Sequence, residues 1–502
     1  MVLFASLLGC VPPHALAATP APAIDGESMQ VVGLPAWPGA SWWPFLRAGD
    51  EVSGVAFGGG ATGVPDGLDA NTLHRRGERL FLLTHFERSV GALFVTELGG
   101  GGGSFTPTRT TAIDQAGVPV FNPCGAALSP WGSHLGSEEY EPDAGALAVG
   151  GRMRTPIDRG WGEEAEADNG WNARVDQLPA ASVPYQHGWA NEVTLDAEGR
   201  ATFARRLALG RYSHEQAIAV SAREVYLSDD QANGGGLFRF LAAADADLRV
   251  GRLEAAAWHA GGSAGELGRL SWVELGPTSE AALLPAWQKP PSFDQLFERS
   301  RPTGNVCSSG TLVEGGSGRE CLKLRAGQAD LARAFETRRY AALLGATTIF
   351  PKEEGLAWDP ESDTLFVAWS RVNPAAATRL GVPVNRCGQV VAVDRRTGML
   401  RAALTGVPRG ADGCEPTAIA NPDNLAWDSS TRTLFVAEDG PSREGRNRLW
   451  AWRDGTLRAL LDSPKGAEVS GLSVAQVGLQ RWLTVSLQRD VRPSVVGFVG
   501  PW

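Results

Sequence analysis

One heptapeptide pattern occurs twice in this chain, 69 residues apart. Glu354-Gly-Leu-Ala-Trp-Asp-Pro360 and Asp423-Asn-Leu-Ala-Trp-Asp-Ser429 each precede a short turn and an apolar strand, Thr364-Leu-Phe-Val-Ala368 and Thr433-Leu-Phe-Val-Ala437. A unit repeated at a fixed period buries its apolar face against its own copies, so the period dictates the architecture. This period suits one four-stranded propeller blade with its loops. Weaker copies recur. Pro65-Asp66-Gly-Leu68 leads to Leu80–Thr84, His214-Glu215-Gln-Ala-Ile-Ala-Val220 to Val225–Asp230, and Glu468-Val-Ser-Gly-Leu-Ser473 to Trp482–Ser486. Pro130 to Glu139 keeps only the second-strand half. The expected fold class is all-β, a six-bladed β-propeller with loop and short helical insertions.

With 502 residues the chain exceeds an ordinary single core, and a repeat architecture resolves that excess. Its 62 glycines and 17 tryptophans fit a protein of strands and turns. A formal charge of -10 argues against a nucleic-acid binder, and no later segment offers 18 uninterrupted apolar residues for a membrane span. Residues 1–25 read as an export segment and Pro/Ala linker. Leu7-Leu-Gly-Cys10 is a candidate lipoprotein box with its anchor at Cys10, and Ala15-Leu-Ala17 a candidate ordinary cleavage site. The expected location is therefore periplasmic, cell-surface or extracellular. Residues 26–502 read as one propeller domain, expected to be monomeric. Its largest insertion, about 277–345, ends in a helical pattern over Leu331–Leu344, predicted to deliver Lys352 to the channel mouth. Residues 99–103 and 161–183 read as a glycine loop and a polar excursion. Cys307/Cys321 and Cys387/Cys414 are spaced to pair in an oxidising compartment.

In a propeller the first strand of each blade lines the central channel, so equivalent positions form a ring. Asp66, Glu215, Glu354 and Asp423 are predicted to share one register. At ~6 Å and an effective dielectric of about 20, each pair of like charges costs on the order of 3 kcal/mol. Cations between the acids, or protons on them, relieve that cost. Carboxylates and carbonyls suit hard cations such as calcium. Glu192 is a further metal candidate. Lys352, one of four lysines in the chain, is a candidate phosphate-binding cation, and His214 either a proton donor or an orienting group for Glu215. His85 and His134 read as strand-end hydrogen-bonding groups. At least one of Asp229, Asp230, Glu438 and Asp439, at second-strand ends, is expected at the metal or its water shell.

Ordered patches over most of residues 54–490 resemble the PhoX family of secreted, metal-dependent alkaline phosphatases. They are Asn122-Pro-Cys124 with Pro130-Trp-Gly and Ser137-Glu-Glu139, Leu209-Gly-Arg-Tyr-Ser-His-Glu215, Arg338 to Pro360, and Glu468-Val-Ser-Gly471. The resemblance implies a calcium and iron cluster that hydrolyses phosphate monoesters, hence small phosphorylated substrates. It implies metal ligation by Glu138, Glu215, Glu354 and Asp423, with Glu468 in the closing motif, and puts Lys352 where the family has an arginine. It also aligns Ser137 with the family's iron-ligating cysteine, which favours calcium over iron, since a hydroxyl is a poor iron ligand. Thr84-His85-Phe86 stands where the family has Asn-His-Glu, with Glu87 adjacent. The residues alone leave open a calcium-dependent lactonase or phosphodiesterase, and a non-catalytic calcium-stabilised binding propeller.

Overall fold

The computed structural model describes residues 30–31 and 41–502, apart from 60–66, 89, 101–104, 148–183, 232–233, 262–264, 316–317, 441–445 and 490–492. Asp66, Cys10, both cleavage candidates, most of the glycine loop and the excursion at 161–183 lie outside the described residues.

Among the described residues, the antiparallel strands of the ring form three four-stranded sheets, one of five strands and one of nine; each contains one four-strand unit, except that the nine-stranded sheet contains two, joined through Gly268–Ser279. The first strands of the six units are Leu68–Arg76, Ala126–Leu128, His214–Ser221, Glu353–Asp359, Pro422–Asp428 and Ala467–Val477. Each first strand packs beside the next, and the last beside the first, so they close a ring. The two strongest copies hold their offset to the residue: Glu353–Asp359 with Thr364–Trp369 becomes Pro422–Asp428 with Thr433–Glu438. The last unit borrows its fourth strand from the other end of the chain, where Ser41–Arg47 pairs with Val495–Gly500. That pairing closes the ring and covers a sheet edge that would otherwise be exposed.

The apolar cores lie between units, as expected where each unit buries itself only against neighbours. Phe366, Leu425, Leu434 and Trp450 pack between the fourth and fifth, and Phe86, Phe94, Trp482 and Phe498 between the sixth and first. The insertion contains the helix Glu280–Gln288 and a three-stranded sheet, and ends in two helices, Ala329–Phe335 and Thr337–Leu343. The single helix expected there is broken at Glu336, whose carboxylate receives hydrogen bonds from Tyr185 and Arg339 at 2.8 and 2.7 Å. Phe335 and Tyr185 join the core shared by the second and third units. Disulfides Cys307–Cys321 and Cys387–Cys414 form as paired in the sequence.

Candidate metal centre

Five of the six first strands carry an irregularity near their start, where two residues face one on the partner strand. The shifts fall between Leu68 and Asn71, His214 and Ala217, Glu353 and Leu356, Pro422 and Leu425, and Ser470 and Ser473. An extra residue in one strand bends it and re-aims a side chain. The residues opening these bulges are Asp69, Glu215, Glu354, Asp423 and Gly471. The ring member of the first unit is therefore Asp69. The motif match had selected Asp66, but strand pairing aligns Leu68-Asp69, not Pro65-Asp66, with Pro422-Asp423, since Leu68 faces Phe86 as Pro422 faces Glu438.

A second set comes from the residues just after second strands: Glu87 follows Phe86, Asp230 follows Asp229, and Asp439 follows Glu438. The second unit contributes Cys124, before its first strand, and Glu139, beyond its second. Three trios then bring ligand atoms within 4.8 Å of one another: Asp69, Glu87 and Cys124; Cys124, Glu139 and Glu215; Glu215, Glu354 and Asp423. The first two share Cys124 and the last two Glu215, so the seven residues form one continuous cluster, all buried except the half-buried Cys124. Gly125 permits the approach, because a Cβ there would lie 2.5 Å from the Glu215 carbonyl oxygen.

The electrostatics are those of a cation site. Both carboxylate oxygens of Asp69 and of Glu215 are buried without a hydrogen-bond partner. Burial, then Glu87 and Asp423, pushes Asp69 up to about 8; burial, then Asp439, pushes Asp423 up to about 7. Burial and neighbouring acids also raise Glu139, Glu215 and Glu468 well above the carboxylate range, and the Cys124 thiol above its own. Such groups carry a proton or face a cation. Clustered carboxylates with one thiol are a donor set for hard cations beside a softer one.

Lys352 is buried, its ammonium bonded to Glu354 and 3.1 Å from Asp230. Burial works against its charge, but Asp230, Glu139, Asp439 and Asp423 outweigh that and hold it protonated. Asp230 also accepts a 2.7 Å hydrogen bond from the Tyr140 hydroxyl. Glu468 lies beside Asp423, close enough for their carboxyls to hydrogen-bond.

Three expected site residues turn elsewhere. Glu138 pairs with Arg205 at 3.1 Å and accepts from the Gly188 and Trp189 amides; its neighbour Glu139 joins the cluster. Glu192 accepts from Trp131 and Arg206 at 2.8 and 2.7 Å. His214 commits Nε2 to the Gly210 carbonyl at 3.0 Å, lies against Tyr212, and burial lowers it to about 3. Ser137 donates to the Gly125 carbonyl at 2.8 Å, outside the trios, so the sulfur of the cluster is that of Cys124. Cys124 and Asp69 were not expected in the cluster. The signals available were the one cysteine left over after the loop pairings and the export segment, and the register of the Leu68–Arg76 hairpin.

Among solved structures, PhoX of Pseudomonas fluorescens, bound to the transition-state analogue vanadate, superposes with a TM-score of 0.67 at 18% identity, covering 95% of this chain and 96% of that one. A gluconolactonase of Xanthomonas campestris covers 97% and 99% at 11% identity, but its TM-score of 0.37 is too low to carry an argument. No curated protein sequence matches. The profile of the family described as alkaline phosphatase PhoX matches residues 102–489, well over half of the chain. This β-propeller therefore belongs to the PhoX family of alkaline phosphatases.

Proposed function

We propose that this phosphatase hydrolyses phosphate monoesters at a cluster of calcium ions, with iron held through Cys124, at the mouth of the propeller channel. The observation that carries this reading is the set of three trios sharing Cys124 and Glu215. The oxygen ligands would be Asp69, Glu87, Glu139, Glu215, Glu354 and Asp423, with Glu468 beside them. Cations bound there would draw charge from the phosphoryl oxygens and lower the pKa of a bound water. Lys352 keeps its proton next to the cluster and adds a fixed positive charge for the transferring group. Asp230, held by Tyr140, positions that ammonium. A neutral His214 whose Nε2 proton is engaged orients the strand carrying Glu215 and donates no proton to a leaving group.

Vanadate bound to the Pseudomonas protein fits phosphoryl transfer on this fold. The non-catalytic alternative drew its support from the serine at position 137, and a thiol at Cys124 removes that ground. Two disulfides support an exported enzyme, and no helix among the described residues is long and apolar enough to cross a membrane. The test is p-nitrophenyl phosphate turnover at alkaline pH, before and after chelation and after calcium is returned. Turnover lost on chelation and regained with calcium supports the reading. Undiminished turnover in fully chelated protein overturns it.

A further inference from the structure

Four buried side chains outside the cluster form an unbroken line that starts at the Cys124 backbone. His85 Nδ1 lies 2.7 Å from the Cys124 carbonyl, His85 Nε2 lies 2.7 Å from His134 Nε2, His134 Nδ1 lies 2.7 Å from the Thr72 hydroxyl, and that hydroxyl lies 2.8 Å from His74 Nε2. A carbonyl only accepts, so His85 carries its proton on Nδ1. In a neutral ring its Nε2 then accepts, so His134 donates from Nε2 and accepts at Nδ1 from Thr72. The Thr72 oxygen in turn accepts from His74 Nε2. Each of the four groups supplies one proton to one link, and every proton points towards Cys124. The contact left without a proton is His74 Nδ1 to the Gly132 carbonyl. It is the longest, at 3.3 Å, and Arg76 already serves that carbonyl at 2.7 Å. Burial keeps the His74 ring neutral, lowering it to about 4.

We propose that His85, His134, Thr72 and His74 are positioning residues, a hydrogen-bonded strut that fixes the Cys124 backbone and hence aims its thiol at the metal ions. The strut rests on the reading of Cys124 as a ligand. Gly136 belongs to it by close packing, because a Cβ there would meet the His85 ring at 2.8 Å, with Asn191 Oδ1 at 2.6 Å. Groups that orient a metal ligand commonly change affinity about tenfold or more when removed.

The test titrates the chelated full-length protein with cobalt(II) and follows the thiolate-to-cobalt charge-transfer band. Thr72→Val keeps the side-chain shape and breaks the strut in its middle, Thr72→Ser restores the hydroxyl, and Gly136→Ala crowds His85 and Asn191 without removing a polar group. Expected are a band in the parent, about tenfold weaker cobalt binding in Thr72→Val and Gly136→Ala, and parent behaviour in Thr72→Ser. Parent-like titration of both Thr72→Val and Gly136→Ala overturns the strut. If Thr72→Val does not fold, Gly136→Ala alone decides in the same way. Cys124→Ser separates the two claims: a band that survives there refutes ligation by Cys124 itself.

Discussion

At the residue scale, the centre depends on which of two adjacent acids faces inward. Glu138 and Glu139 are neighbours in sequence, yet one is neutralised by Arg205 and the other stands among acids. Glu139→Gln should therefore lower kcat by orders of magnitude while leaving the melting temperature of metal-free protein unchanged or higher. Glu138→Gln should instead destabilise the fold by about 3 kcal/mol, because Arg205 is left buried without its charge partner. Paired thermal melts and phosphatase assays distinguish these outcomes; the reverse pattern would show that the two roles are exchanged. Asp69→Asn and Asp423→Asn should each abolish most turnover, whereas Ser137→Cys should leave iron content unchanged, since Ser137 lies outside the trios. Elemental analysis of the purified variant checks the last point.

At the scale of elements, the repeated hairpin was legible because its apolar alternation and turn residues are local properties. The copies at 354 and 423 were found to the residue. The bulges were not, because the pairing that creates them involves two strands at once. That is why a three-residue motif pointed to Asp66, which lies outside the described residues, while the partner strand puts Asp69 in register with Asp423. The insertion shows the same limit, since the pattern over 331–344 marks helix but not the break at Glu336, which Tyr185 and Arg339 stabilise from outside. The disulfides are better cases for sequence reasoning, being pairs close along the chain. Cys387–Cys414 spans 27 residues, from just before the fourth unit's strand Gln389–Asp394 to the connection leading into the fifth unit, a closure that contributes roughly 3 kcal/mol. The double variant Cys387→Ala/Cys414→Ala should lose about that much in chemical denaturation, and an unchanged midpoint would show the loop to be held by packing alone.

For the whole molecule, closing the ring concentrates charge, and stability becomes linked to pH. Asp69 and Asp423 stand at about 8 and about 7 in the folded, metal-free chain, against about 4 for an unfolded aspartate. A carboxyl whose folded value is raised adds stability below its unfolded value and loses it as pH climbs through the folded one. Chelated protein should thus melt at progressively lower temperature from pH 5 to pH 9. Calcium should restore more at pH 9 than at pH 5, because at pH 5 it must displace protons. Scanning calorimetry with and without chelator reads both trends, and a metal-free protein that becomes more stable towards pH 9 would contradict the clustered geometry.

The amino-acid sequence by itself determined the repeat, the strand-rich class, the loop disulfides, the resemblance to PhoX and the acids Glu215, Glu354 and Asp423, since each is carried by residues near one another along the chain. Tertiary structure alone decided that Asp69 and Cys124 complete the cluster, that Glu138, Glu192 and His214 face other partners, and that Lys352 is buried against Asp230. Those outcomes depend on strand register and on which unit lies beside which around a closed ring.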